Sequence, residues 1–301
     1  MRDHDHDQPF EQGLLHDLEV LNTLANRRRV LRWLAAASAA SMVPLLGCSG
    51  STELEDASGT AGASGNAGAS TSSAAGTTSS AGESTSASGG STSGECSQIP
   101  EETAGPYPGD GSNGPNALTQ SGIVRDDITT SFGSLSGTAA GIPLKVELTI
   151  VNASGCAPLA GYAVYIWHCD RDGNYSMYTA ADQNYLRGVQ ETDADGTVTF
   201  TSIYPACYSG RWPHIHFEVY ESLEEATAAG SKVATSQLAL PDAQNQAVFA
   251  TSGYEKSVSN YAMVSLATDM VFSDGATSET PAMSGSVSAG YVASLTVGVD
   301  V

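Results

Sequence analysis

His214-Ile215-His216 puts two imidazoles one residue apart in this 301-residue chain. On an extended strand residues i and i+2 share a face, so both rings point the same way and can chelate one metal ion. The plain alternative is a pair of solvent-facing histidines. Other ligand-type groups stand nearby. Tyr208 lies six residues before His214 and Arg211 three before it, in Tyr208-Ser209-Gly210-Arg211-Trp212-Pro213-His214. Farther upstream, Trp167-His168-Cys169 leads into Asp170-Arg171-Asp172-Gly173-Asn174-Tyr175-Ser176. Two phenols and two imidazoles make a hard, anionic ligand set, and ionised phenolate suits Fe(III) far better than zinc or copper(I). A free tyrosine titrates near pH ~10, so a bound ferric ion would have to hold both phenols deprotonated. Such an iron resists reduction and acts as a Lewis acid, which suits chemistry in which the substrate supplies the electrons. A copper or zinc enzyme built on His214 and His216 lacks a third histidine in a suitable place, since His168, at a strand end, reads as a supporting or surface residue.

The elements that must carry these groups read as short strands. Leu144 to Val151 alternates apolar and polar residues, the period-two pattern of a half-buried strand. Tyr162–Trp167, Thr197–Phe200 after a turn at Asp193–Gly196, His214–Tyr220 and Tyr291–Val299 read the same way, with one short helix over Leu223–Ala229 capped by Ser222. Strands at this spacing indicate an all-β fold, a single β-sandwich or barrel over residues 96–301.

The first third of the chain has another character. Asn26-Arg27-Arg28-Arg29-Val30-Leu31-Arg32, a short apolar stretch and Leu45-Leu46-Gly47-Cys48 resemble a twin-arginine signal ending in a lipobox. Residues 1–47 are therefore expected to be a signal peptide, removed together with His4, His6 and His16, and Cys48 to be lipidated. Ser49 in place of an aspartate favours the outer membrane. Of the 47 residues from 49 to 95, 40 are Gly, Ala, Ser or Thr. Such a segment cannot bury enough apolar surface to order itself, so 48–95 reads as the lipidated cysteine followed by a disordered linker with a reach of about 40 Å. Acids outnumber bases 33 to 12, a net charge of −21, which argues against nucleic acid as a partner. No apolar run approaches the ~20 residues of a membrane helix, so membrane contact is expected only through the anchor at Cys48.

In an oxidising compartment the remaining cysteines, Cys96, Cys156, Cys169 and Cys207, are disulfide candidates. The expected pairing is Cys156 with Cys169 and Cys96 with Cys207. A zinc site competes, but no two of them have Cys-x-x-Cys spacing.

The run from Glu102-Thr103-Ala104-Gly105-Pro106-Tyr107, through Trp167–Ser176 and Leu186–Gly196, to Ile203–Phe217 resembles the intradiol ring-cleavage dioxygenases, the group of protocatechuate 3,4-dioxygenase and catechol 1,2-dioxygenase. The resemblance covers roughly residues 100–240. It implies a β-sandwich of that type and a non-haem Fe(III) held by Tyr175, Tyr208, His214 and His216. Tyr208 would leave the metal when catechol binds and, with hydroxide, take up the catechol protons. Arg211 would stabilise negative charge on the substrate. Gln237 matches a pocket glutamine, and Gly105, Pro106 and Tyr107 would line the pocket mouth. The implied reaction cleaves a catechol between its hydroxylated carbons with O2, giving a cis,cis-muconate-type diacid without an external reductant. Tyr162, Tyr165, Tyr178, Tyr185, Tyr204 and Tyr220 read as core or rim aromatics, Tyr178 being the nearest rival to Tyr175. The N-terminal helical dimerisation domain of the catechol dioxygenases is missing from 49–95, which leaves the oligomeric state open. The competing function is a non-catalytic surface module on the same sandwich.

Overall fold

A computed structural model describes residues 96–301. The expected signal segment 1–47, the expected lipidation at Cys48 and the expected linker of 48–95 lie outside the described residues. The strands are β1 (Pro143–Asn152), β2 (Ala163–Trp167), β3 (Arg187–Glu191), β4 (Thr197–Ile203), β5 (His214–Tyr220), β6 (Lys232–Ala239), β7 (Ala282–Ser286) and β8 (Gly290–Val299). They form two four-stranded sheets in the orders β4-β1-β8-β7 and β3-β2-β5-β6. The β1–β8 pair is parallel and every other named pair is antiparallel. Three helices follow β5 in the chain: α1 (Leu223–Thr227), α2 (Asp242–Phe249) and α3 (Glu255–Tyr261).

Alternation builds the first sheet. Leu144, Val146, Leu148 and Ile150 point into the core between the sheets, while Lys145 is exposed and Glu147 and Thr149 are half-buried. The second sheet is different because both of its faces are covered. On β5, Ile215, Phe217 and Val219 enter the inter-sheet core, and His214, His216, Glu218 and Tyr220 occupy the opposite face, also buried. On β2, Val164 and Ile166 face inward, whereas Ala163, Tyr165 and Trp167 join a second buried layer with Leu118, Ile123 and Tyr175. Burying each large apolar side chain contributes roughly 1.5–3 kcal/mol, so this second layer helps to hold the loops over the sheet. That covered outer face is where the polar chemistry collects.

Every strand anticipated from alternation is present, with ends moved by at most three residues. The helix expected over Leu223–Ala229 stops at Thr227. Ser222 caps it by accepting from the Glu225 amide, and Ala229 leaves it with a left-handed φ of 52°. Strands β3, β6 and β7 had no legible pattern. β3 interleaves a buried arginine and a glycine, and β6 buries Thr235, Ser236 and Gln237. β7 is a short, mostly exposed Ser/Gly edge.

The expected disulfide pairing is overturned. Cys96 bonds Cys156, fastening the first described residue to the turn after β1, while Cys169 and Cys207 are buried free thiols. Both thiols sit among carbonyls, Cys169 donating to Ala206 O at 3.7 Å and Cys207 to Arg211 O at 3.4 Å. Burial pushes the Cys207 thiol up to about 12 and raises Cys169 further, so neither is a reactive thiolate. Cysteine counting alone cannot separate these pairings. Replacing Cys156 by serine opens a 60-residue loop and is expected to cost about 2–4 kcal/mol in denaturant unfolding. In the native protein a thiol reagent is expected to leave Cys169 and Cys207 untouched and to label both after unfolding.

Candidate metal centre

Strand register lines up the floor of the site. His216 on β5 stands opposite Trp167 on β2 and opposite Gln237 on β6. Trp167 lies flat on the His216 ring, with centroids 4.8 Å apart and planes 5° from parallel. Gly105, at φ +68°, brings backbone close to the same ring, where an added Cβ would come 3.3 Å from His216 Cε1. Stacking and close approach, rather than a hydrogen bond to Nδ1, therefore orient this imidazole; its Nδ1 has no partner. His214 is oriented differently, its Nδ1 lying 2.6 Å from the Trp212 carbonyl. That contact assigns the proton to Nδ1 and turns the Nε2 lone pair inward.

The phenols come from loops. After β2, Asp170 Oδ1 accepts from the amides of Asp172 and Asn174, turning the chain so that Tyr175 returns over the sheet. Tyr208 lies between β4 and β5, where α3 pins the backbone: Cys207 N donates to Ser257 Oγ and Asn260 donates to Cys207 O. The four groups meet. His214 Nε2 is 3.1 Å from His216 Nε2, 3.2 Å from Tyr175 Oη and 3.2 Å from Tyr208 Oη. Tyr175 Oη is also 3.4 Å from His216 Nε2 and 3.5 Å from Tyr208 Oη. Ligand bonds of about 2 Å at near-tetrahedral angles separate donors by roughly 3.3 Å, so this spacing fits one ion. Among the described residues no three His, Cys, Asp or Glu side chains could hold a metal together; the imidazoles find their further donors in phenols.

The electrostatics suit the same reading. Burial holds both imidazoles well below their usual range, with Arg211 adding to the effect and His214 adding at His216; they stay neutral and available as ligands. Burial, with Tyr208 beside it, raises Tyr175 well above 10, so only a strong local cation would ionise it. Three of the four groups are buried and Tyr208 is half-buried. Arg211 is buried, with Nε 3.0 Å from Asp269 and Nη2 2.7 Å from Gln237 Oε1. Burial alone would lower its pKa, but Tyr208 and Asp269 outweigh that and keep it charged. Gln237 in turn donates to the Thr103 carbonyl at 2.8 Å, tying Arg211 to the loop that carries Gly105. Tyr107 packs its ring 5.0 Å from that of Tyr175, and the Pro106 carbonyl accepts from Asn113. Tyr178 is no ligand here: its hydroxyl accepts from Gly109 N and donates to Asn113 O.

With that geometry in place, comparisons with known proteins converge on one group. A family model described as Dioxygenase matches residues 113–223. A solved intradiol ring-cleavage dioxygenase from Tetranychus urticae aligns with a TM-score of 0.54 and 26% identity, over 68% of this chain and 95% of that one. In sequence and in fold the domain is similar to the intradiol ring-cleavage dioxygenases. Among curated relatives, a chlorocatechol 1,2-dioxygenase of Rhodococcus opacus is 33% identical over 85 residues, 25% of this chain and 33% of that protein. A catechol 1,2-dioxygenase of Acinetobacter lwoffii is 35% identical over 74 residues, 24% of this chain and 26% of that protein. The matched stretches thus span a third or less of those two curated relatives.

Two supporting groups escaped sequence reasoning, and one expected as supporting or surface sits elsewhere. Trp167 was visible beside His168, but nothing local marks it as the plate under His216. Asp269 has no signal at all, since it reaches Arg211 across 58 residues. His168 is neither exposed nor against the ligands. Its Nε2 meets Ser202 Oγ at 2.7 Å and Nδ1 meets Cys169 O at 2.8 Å, joining the two sheets.

Two outcomes follow from these buried charges. Asp269 accepts from Arg211, Trp212 N, Val271 N and Phe272 N. Asp269→Asn leaves the guanidinium buried without its counter-charge, and is expected to lower unfolding stability by about 3–5 kcal/mol. Burial lowers His168 to about 4, whereas the unfolded chain protonates it below ~6.5. Between these values the unfolded state binds more protons, so stability falls as pH drops from about 6.5 towards 4. His168→Gln is expected to flatten that slope in denaturant titrations repeated across the window.

Proposed function

We propose that the domain is a non-haem Fe(III) intradiol dioxygenase, opening a catechol ring between its two hydroxylated carbons with O2 to give a cis,cis-muconate-type diacid. The observation that carries this reading is the convergence of Tyr175, Tyr208, His214 and His216, with five donor–donor distances between 3.1 and 3.5 Å. Ferric iron, when bound, supplies a Lewis acid that draws electron density from a catechol and prepares its ring for O2. Tyr175, His214 and His216, all buried, would hold the ion. Tyr208, half-buried, would be the ligand most open to exchange with substrate, and its Oη would be the base that accepts a catechol proton. Arg211 keeps a fixed positive charge beside the substrate through Asp269 and Gln237, offsetting negative charge that develops on the ring. Gly105 packs closely on His216 without a side chain, and Tyr107 packs against Tyr175. Both oxygen atoms of O2 end in the product, so no reductase partner is needed. This self-sufficiency supports the further reading of an exported protein, passed through the twin-arginine route and lipid-anchored at Cys48 at the cell envelope.

Purified iron-loaded protein is expected to be coloured by tyrosinate-to-iron charge transfer, to change colour with catechol under nitrogen, and to consume O2 when air is admitted. Tyr208→Phe is expected to shift the band and slow turnover by about 10² or more. Iron bound without any catechol turnover would instead assign the domain to a non-catalytic binding module. A colourless protein that refuses iron would exclude the ferric reading.

A further inference from the structure

Arg187, on the edge strand β3, is 1% exposed. A guanidinium carries five N–H groups, and all five are engaged here. Nε donates to Ser176 Oγ at 3.0 Å. Nη1 donates to the Pro108 carbonyl at 2.8 Å and to Tyr165 Oη at 3.0 Å. Nη2 donates to the carbonyls of Tyr107 and Ser176, each at 2.9 Å. None of these acceptors is a carboxylate. A buried charge satisfied only by neutral oxygens is a costly way to fill space, because an apolar side chain of the same volume would avoid the desolvation.

What the fork grips is specific. Two of its carbonyls belong to Tyr107 and Pro108 at the pocket mouth, and two of its acceptor atoms to Ser176, the residue after Tyr175. Room is made for it at Gly109, where a Cβ would lie 2.6 Å from Nη1. Local backbone strain gathers at the same place: Met177, next to Ser176, and Leu186, next to Arg187, hold left-handed φ values of 68° and 56°. Non-glycine residues rarely adopt that region unless their surroundings impose it.

We propose that Arg187 is a positioning residue that locks the loop carrying Tyr175 to the loop carrying Tyr107, so that the phenol at the ion and the wall of the pocket move as one unit. Its spectroscopic consequence rests on the ferric reading; the mechanical coupling does not. Arg187→Lys keeps the charge but offers three N–H groups in place of five. Ser176→Ala keeps Arg187 and removes the acceptor of its Nε.

Hydrogen exchange on the metal-free full chain tests the coupling. In Arg187→Lys, amides of 107–113 and 175–180 are expected to lose protection together by about tenfold or more, while those of Leu144–Val151 in β1 keep theirs. In the iron-loaded protein the charge-transfer band is expected to shift and KM for catechol to rise more than kcat falls. Ser176→Ala is expected to repeat this two-loop pattern more weakly, and it decides the matter if the lysine variant does not fold. Loosening of one loop alone, or equal loosening of β1, would overturn the proposal. A colourless parent protein would sink the ferric reading, and the exchange pattern would still decide the role of Arg187.

Discussion

Strand β5 must bury both of its faces, and the rest of the domain answers to that constraint. Its odd-numbered residues Ile215, Phe217 and Val219 complete the core between the sheets. Its even-numbered residues His214, His216 and Glu218 are consequently driven into a second buried layer, where polar groups are stable only with partners. Each is met in its own way. His214 leans on a carbonyl, and His216 stacks on Trp167 with the Gly105 backbone close by. Glu218, which burial would push up, is opposed by Lys232 at 2.6 Å and accepts from Tyr220 at 2.7 Å. The inward-facing Nε2 atoms of the two histidines are left for the phenols.

The layer over this sheet is consequently charged, and arginines organise it. Arg211 is paired with Asp269 and steadied by Gln237, which fixes the position of its charge; the proposed function sets that charge beside the substrate. Arg187 is saturated by carbonyls and hydroxyls and so acts on backbone rather than on substrate. Lys232 adds a third tie, binding Asp110 as well as Glu218. Burial would raise the Asp110 carboxyl, but Lys232 and Ser112 hold it below the ordinary range. The segment from Tyr107 to Asp110 is thus fastened by the buried Arg187 at one end and by the exposed Lys232 at the other.

Most of this arrangement could be read from the chain, though unevenly. The His-x-His face was legible because strand geometry has a period of two, and β1 was legible because its polar residues reach water. Tyr175 and Tyr208 were legible only through their framing by Asp170–Asn174 and Tyr208–Arg211, since a lone tyrosine carries no directional pattern. β6 was missed because Gln237 and its polar neighbours are buried for the sake of the site, against the usual sorting of polar residues to the surface. Asp269 and the Cys96–Cys156 bond were missed for another reason: both join segments that sequence distance does not relate, 58 and 60 residues apart.

The central claim is that two phenolates and two imidazoles share one ferric ion. Resonance Raman spectroscopy of the iron-loaded protein, excited within its visible band, reads the phenolates directly. The account expects vibrations of two inequivalent tyrosinates, of which Tyr208→Phe removes one set and Tyr175→Phe the other. A spectrum without tyrosinate modes, or one unchanged by both substitutions, would contradict it.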